Sequence, residues 1–131
     1  MGGHAMIERE IALRFYEWTV HLYIGYTEAE STYLCQRLAA IGCRGKALSD
    51  AHAHFVRGGE GRGLTYSNIN ERNSVVAIGA SDAEGSIVNT IGHELLHVVA
   101  HICEKENIDM FSEEPCYILG ELCEKLFKEL R

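Results

Sequence analysis

The feature that most constrains the fold is an apolar stripe in residues 84–107. Aliphatic residues recur there at three- and four-residue spacing, at Ile87, Ile91, Leu95, Val98 and Ile102. That spacing predicts an amphipathic helix with one face against a core. The preceding Ser81-Asp-Ala-Glu84 matches a capping box and predicts the start of the helix, which should end near Asn107. Because one face of this helix must be covered, the chain needs a further layer of structure.

Strand patterns supply that layer. Residues 15–26, FYEWTVHLYIGY, alternate between apolar and polar side chains, as a strand with one buried face does. Two shorter runs, LTYSN and SVVAIG, are rich in β-formers and are separated by INERN, which predicts a hairpin. The glycine-rich RGGEGRG at 57–63 precedes them and lacks the spacing of a phosphate-binding loop, so it is interpreted as a flexible linker or a rim loop.

Three further helices complete the predicted order. The first follows a capping box, Thr27-Glu-Ala-Glu30, and runs to about Ile41; the second spans about Lys46 to Arg57. The last is expected to be capped by Ser112, with Pro115 in its first turn. The prediction is an α+β domain with a small, mainly antiparallel sheet of about three strands. This sheet packs against the helix of residues 84–107 and a C-terminal helix.

Composition limits the classes of function. The 131 residues predict one domain, residues 1–131, in which MGGHA at 1–5 resembles a tag remnant. The net charge of −7 disfavours a nucleic-acid partner, since phosphate binding needs a basic face. No apolar run is long enough to span a bilayer and no signal peptide is evident. Five cysteines without a CxxC pair are interpreted as thiols of a cytoplasmic protein.

The predicted helix contains the sequence His-Glu-Leu-Leu-His at 93–97. Residues four apart lie on one helix face, so His93 and His97 can reach one cation. Glu94 lies about 100° round the helix, beside the pair, where it can take a proton from water without binding the metal. Composition alone predicts about 0.04 copies of such a motif in a chain of this length. The motif therefore predicts a zinc site, one ion per chain, with Glu94 as general base.

A catalytic zinc site needs a third protein ligand. His101 is a poor candidate because three histidines along one helix splay apart, and Cys103 would need a turn that Ala100 does not favour. A glutamate from the last helix has better geometry. Glu113 is preferred because small Cys116 follows three residues later and would allow the two helices to approach closely, while Glu114 is the alternative.

The spacing HELLH…SEEPCYILGEL resembles the HExxH…ExxA pattern of short gluzincin-type zinc metallopeptidases. Residues 63–122 are also similar to small proteins encoded by phages and mobile elements. The resemblance implies His93, His97 and Glu113 as zinc ligands and Glu94 as catalytic base. Larger gluzincins often place an aspartate four residues after the ligand glutamate, where this chain has Tyr117, so the orientation of the histidines must come from another residue.

Other polar residues have weaker signals. A peptidase needs a donor for the oxyanion, and Tyr66, Tyr117 and His101 are candidates for that role or for supporting the zinc ligands. His52 and His54 in DAHAHF are expected to be exposed to solvent.

Two functions follow as hypotheses. The first is a zinc-dependent hydrolase of peptide bonds in a peptide or protein substrate, which would lie along the hairpin edge by β-augmentation. The second is a non-catalytic zinc-binding protein of prophage or mobile-element origin, in which the site is structural or vestigial. The sequence does not indicate the oligomeric state.

Overall fold

The computed structural model describes residues 5–57 and 62–131. Most of the tag-like segment, residues 1–4, and the middle of the glycine-rich loop, residues 58–61, lie outside this range. The described elements are β1 (Ile7–Leu13), β2 (Trp18–Tyr26), a 3₁₀ turn (Glu28–Glu30), α1 (Ser31–Ala40), α2 (Gly45–Arg57), β3 (Gly63–Asn68), β4 (Asn73–Gly79), α3 (Glu84–Glu106) and α4 (Glu114–Leu130).

The predicted α+β class is confirmed, with four strands in place of about three. The strand order is β1-β2-β4-β3. β1 pairs with β2 and β3 pairs with β4 in antiparallel fashion, whereas β2 and β4 are parallel. The unpredicted strand is β1, IEREIAL. Its first four residues are exposed to solvent, and three of these four are charged. Because β1 is an edge strand, it buries only Ile11 and Leu13. Two alternating apolar residues are too short a pattern to predict a strand from the sequence.

Each face of the sheet is covered by a pair of helices. The face formed by Val20, Leu22, Val76 and Ile78 packs against α3 and α4. The opposite face packs against α1 and α2, in a cluster of Tyr23, Tyr26, Leu34, Leu38, Cys43, Ala51, Phe55, Val75 and Ala77. The result is a three-layer arrangement with the sheet in the middle, so α3 is fixed to a rigid support.

A bulge in β2 changes the side on which one predicted core residue lies. The alternation from Trp18 to Ile24 is confirmed, because these residues face α3 and α4. The register shifts between Ile24 and Tyr26, at Gly25 with a φ of 93°. A β-bulge of this kind reverses the alternation. Tyr26 therefore packs on the other face, in edge-to-face contact with Phe55.

The helix boundaries test the capping predictions separately. The box at Thr27 and Glu30 is confirmed. The box at Ser81 is wrong: α3 begins at Glu84 after Ala83, and the Ser81 hydroxyl accepts a hydrogen bond from the Ala83 amide instead. Ser112 is not a cap either, because its hydroxyl donates to the Asp109 carbonyl and α4 begins at Glu114.

The ends of α3 and α4 agree with the sequence in two other respects. Asn107 ends α3 in the left-handed conformation, with a φ of 58°, which asparagine adopts more readily than most residues. Pro115 lies in the first turn of α4, where its missing amide proton costs nothing. Of the helices in the described ranges, none combines the length and the apolarity that are needed to cross a membrane.

Candidate metal and catalytic site

His93 and His97 project together from one flank of α3. Their Nε2 atoms are 3.3 Å apart and their ring centroids 5.0 Å apart. Two Zn–N bonds at a tetrahedral angle place the nitrogens about 3.3 Å apart, so the pair fits two positions of a zinc site. The same separation also allows the two rings to share a hydrogen bond. The His93 side chain is 65% exposed, which leaves room for a ligand in front of the pair.

Glu94 is held between α3 and the sheet. Its side chain is 8% exposed, and one oxygen, Oε2, is 4.0 Å from His93 Nε2. The other oxygen, Oε1, accepts a hydrogen bond of 2.8 Å from the Thr65 hydroxyl on β3. Since a buried carboxylate needs such partners, Thr65 fixes one oxygen and leaves the other beside the histidine pair.

A glycine on β3 makes this approach of strand and helix feasible. A Cβ atom on Gly63 would lie 2.7 Å from Glu94 Oε2 and from Thr90 Cγ2, and 2.8 Å from Glu94 Cγ. Any larger residue would therefore separate β3 from α3 or displace the Glu94 carboxylate.

His101 is the third histidine of this flank, and it contacts the sheet. Its Nδ1 lies 2.6 Å from the Ser67 hydroxyl. Ser67 in turn contacts the Ser74 hydroxyl at 2.7 Å, and Ser74 accepts a bond of 2.9 Å from the Trp18 indole. Burial, with a smaller effect of His97, lowers the pKa of His101. The Ser67 bond orients the His101 ring, which stacks near the His97 ring with the two centroids 6.5 Å apart.

Glu113 and Glu114 lie at the start of α4, and Glu114 approaches the flank of α3 that is opposite to the histidines. Glu114 accepts a hydrogen bond of 2.5 Å from the Tyr16 hydroxyl, near Cys103. Glu113 is exposed at the start of α4. Within residues 5–57 and 62–131, no three His, Cys, Asp or Glu side chains form a group that could hold a metal ion. The structure thus brings together His93, His97 and Glu94, but it does not bring Glu113 or Glu114 to them.

The two tyrosine candidates are also apart from the histidine pair. Tyr66 packs against the cluster on the α1 and α2 face of the sheet, the side opposite to α3. Tyr117 is 71% exposed on α4. In this arrangement neither hydroxyl has a contact that would place it beside Glu94.

A cavity of about 360 Å³ opens beside Glu94. It is lined by His54, Arg62, Gly63, Asn89, Thr90, His93 and Glu94. The expectation that both histidines of DAHAHF are exposed is confirmed for His52 but is wrong for His54, whose Nε2 is buried. Sequence reasoning therefore missed His54, Gly63 and Thr65. The alternation of GLTYSN, which puts Gly63, Thr65 and Ser67 on one face, was the available signal for the latter two.

Comparison with known proteins gives no relative. No protein-family model matches the chain, and neither a curated protein nor a solved structure is significantly similar to it. The functional argument therefore depends on the geometry of the site and on the motif in the sequence.

Replacing Gly63 tests the close contact between β3 and α3. We expect Gly63→Ala to lower the free energy of unfolding by about 1–3 kcal/mol, because the added methyl group overpacks the interface. Gly92→Ala is the matched control on α3, where a Cβ meets open space. It should raise stability by about 0.5–1 kcal/mol, since alanine favours a helix. Urea denaturation measures both, and a Gly63→Ala protein as stable as wild type would contradict the close contact.

Proposed function

We propose that the chain is a zinc-dependent peptide hydrolase in which His93 and His97 bind the metal and Glu94 is the general base. The observation that supports this most is the meeting of three groups: two Nε2 atoms 3.3 Å apart and a buried carboxylate oxygen 4.0 Å from one of them. Bound zinc supplies Lewis acidity, which polarises a carbonyl and makes water a better nucleophile at neutral pH.

The chain's own residues account for the proton transfer. Glu94 Oε2, which the Thr65 bond leaves free, takes the proton of the attacking water and returns it to the leaving amine. Because Thr65 fixes the other oxygen, the carboxylate does not need to reorganise between these steps. His93 and His97 would hold the metal beside this oxygen, so that the carbonyl it polarises would lie within reach of that water.

The sheet offers a place for an extended substrate. β3 is an edge strand, with β4 on one side only. It carries Thr65 and Ser67 on the face toward α3, so its free edge runs past the flank that holds the histidines. A peptide that adds to this edge would gain backbone hydrogen bonds and pass close to Glu94.

The third zinc ligand stays a prediction. For Glu113 or Glu114 to join His93 and His97, the connection between α3 and α4 and the Tyr16–Glu114 bond would have to rearrange. This requirement favours, as the second candidate, a non-catalytic zinc-binding protein in which a two-histidine site serves binding or regulation. Zinc content and the role of Glu94 separate the two candidates.

Zinc content tests the metal site. We expect one zinc per purified chain, lost in His93→Ala and in His97→Ala and kept in His52→Ala, whose side chain is exposed on α2. Elemental analysis after gel filtration measures it. Full zinc retention in the double variant at residues 93 and 97 would refute the site.

A chelator competition tests the third ligand. Glu113→Ala should weaken zinc binding more than Glu114→Ala; the reverse order would make Glu114 the ligand.

Glu94→Gln separates an enzyme from a binding protein. The substitution keeps the volume of the side chain and removes the base, so zinc content should stay the same. Cleavage of responsive members of a peptide library should fall by ~10²–10⁴-fold, the usual effect of losing a general base. Glu104→Gln, on an exposed position of the same helix, should cleave like wild type. Equal cleavage by wild type and Glu94→Gln would overturn the hydrolase proposal.

A further inference from the structure

The cavity beside Glu94 contains polar groups that the proposed reaction does not use. Its far side, across from α3, is formed by His54 in the last turn of α2 and by Arg62, the residue before β3. These two residues face the same space as Glu94 and His93. Any substrate bound at Glu94 would therefore place a neighbouring group against them.

His54 forms a buried part of this wall. Its Nε2 is buried and has no hydrogen-bond partner among the described residues, whereas the ring bonds to the backbone of Gly63. Because Nε2 has no surface in the cavity, His54 shapes the wall and does not bind a ligand itself. Burial, and next the positive charge of Arg62, lower the pKa of His54, which disfavours a second positive charge beside Arg62.

Arg62 presents an unpaired positive charge. The guanidinium is half-buried, and no carboxylate within residues 5–57 and 62–131 forms an ion pair with it. Among the described residues, Glu94 is the one carboxylate that lines the cavity, and its Oε1 is already bonded to Thr65. Charged groups that are withdrawn from water are normally paired, so Arg62 is suited to an anion brought by a ligand.

We propose that this cavity is a substrate subsite for an acidic residue next to the scissile bond, with Arg62 binding the carboxylate and the His54 ring forming the wall beside it. The inference rests on the proposed function in so far as Glu94 marks where the scissile bond lies. A side-chain carboxylate and a chain-terminal carboxylate share this chemistry.

Peptide binding tests the subsite without any need for hydrolysis. The probes are acetyl-Ala-Glu-Ala-amide, its Gln counterpart, and acetyl-Ala-Ala with either a free or an amidated C-terminus. Affinities come from NMR titration of the full chain with labelled histidine, in which the ring signals of His54 and His93 report on occupation of the cavity that they line. We expect a peptide with a carboxylate to bind about tenfold tighter than its neutral counterpart, a typical contribution of a charge-assisted bond.

Variants of the chain identify which residue causes the preference for a carboxylate. Arg62→Gln should abolish the preference for the carboxylate, Arg62→Lys should restore part of it, and Arg57→Gln, at an exposed position, should leave it unchanged. His54→Ala should weaken the charged and neutral peptides by the same factor. Tighter binding of the Glu peptide than of its Gln counterpart would show that the subsite binds a side-chain carboxylate. If only the peptide with the free C-terminus binds tighter than its neutral counterpart, the subsite binds the carboxylate of a chain end.

Two results would overturn the subsite: equal affinity for the charged and neutral members of both peptide pairs, or a full preference that persists in Arg62→Gln. The outcome is independent of hydrolysis. Titration after removal of metal by a chelator should show the same preference. Carboxylate binding together with an inactive Glu94 site would refute the hydrolase and leave the subsite standing.

Discussion

The contact between α3 and the edge strand β3 is the interaction on which the candidate site depends. Gly63 lets the strand approach the helix within van der Waals distance of Glu94. Thr65 then bonds the Glu94 carboxylate, and two residues later Ser67 bonds His101. Three alternate residues of one strand therefore fix one flank of the helix. Without this contact Glu94 would be an exposed side chain free to rotate, and the cavity next to it would not have a wall.

This arrangement divides the surface of α3 into two flanks with different tasks. The flank toward β3 holds the three histidines and Glu94, supported by a chain of hydroxyls that reaches Trp18 in the sheet. The other flank packs toward α4, near Tyr16, Cys103 and Glu114. A ligand glutamate from α4 would have to cross from one flank to the other. That requirement is the main physical difference between this arrangement and the one that the gluzincin resemblance implies.

Much of the scaffold could be predicted from periodicity. The stripe from Ile87 to Ile102 gives α3, and the alternation from Trp18 to Ile24 gives β2, because both patterns follow from burial of one face. The cap at Ser81 was wrong, since local sequence does not determine which residue first adopts helical dihedrals. His54 could not be assigned to the site because its role arises from α2, β3 and α3 meeting in space. The alternation of GLTYSN places Gly63 and Thr65 on one face, but it does not show that Glu94 lies against that face. The position of α4 relative to the histidines likewise depends on the packing of the whole face.

X-ray absorption at the zinc edge of the purified chain tests the central claim most directly. The account predicts zinc with nitrogen and oxygen neighbours only, including the multiple-scattering signal of two imidazoles, and loss of that signal in the His93→Ala, His97→Ala variant. Sulfur neighbours at about 2.3 Å, the Zn–Cys distance, would assign the metal to the cysteines. That result, or an imidazole signal that survives in the double variant, would contradict a metal site on this flank of α3.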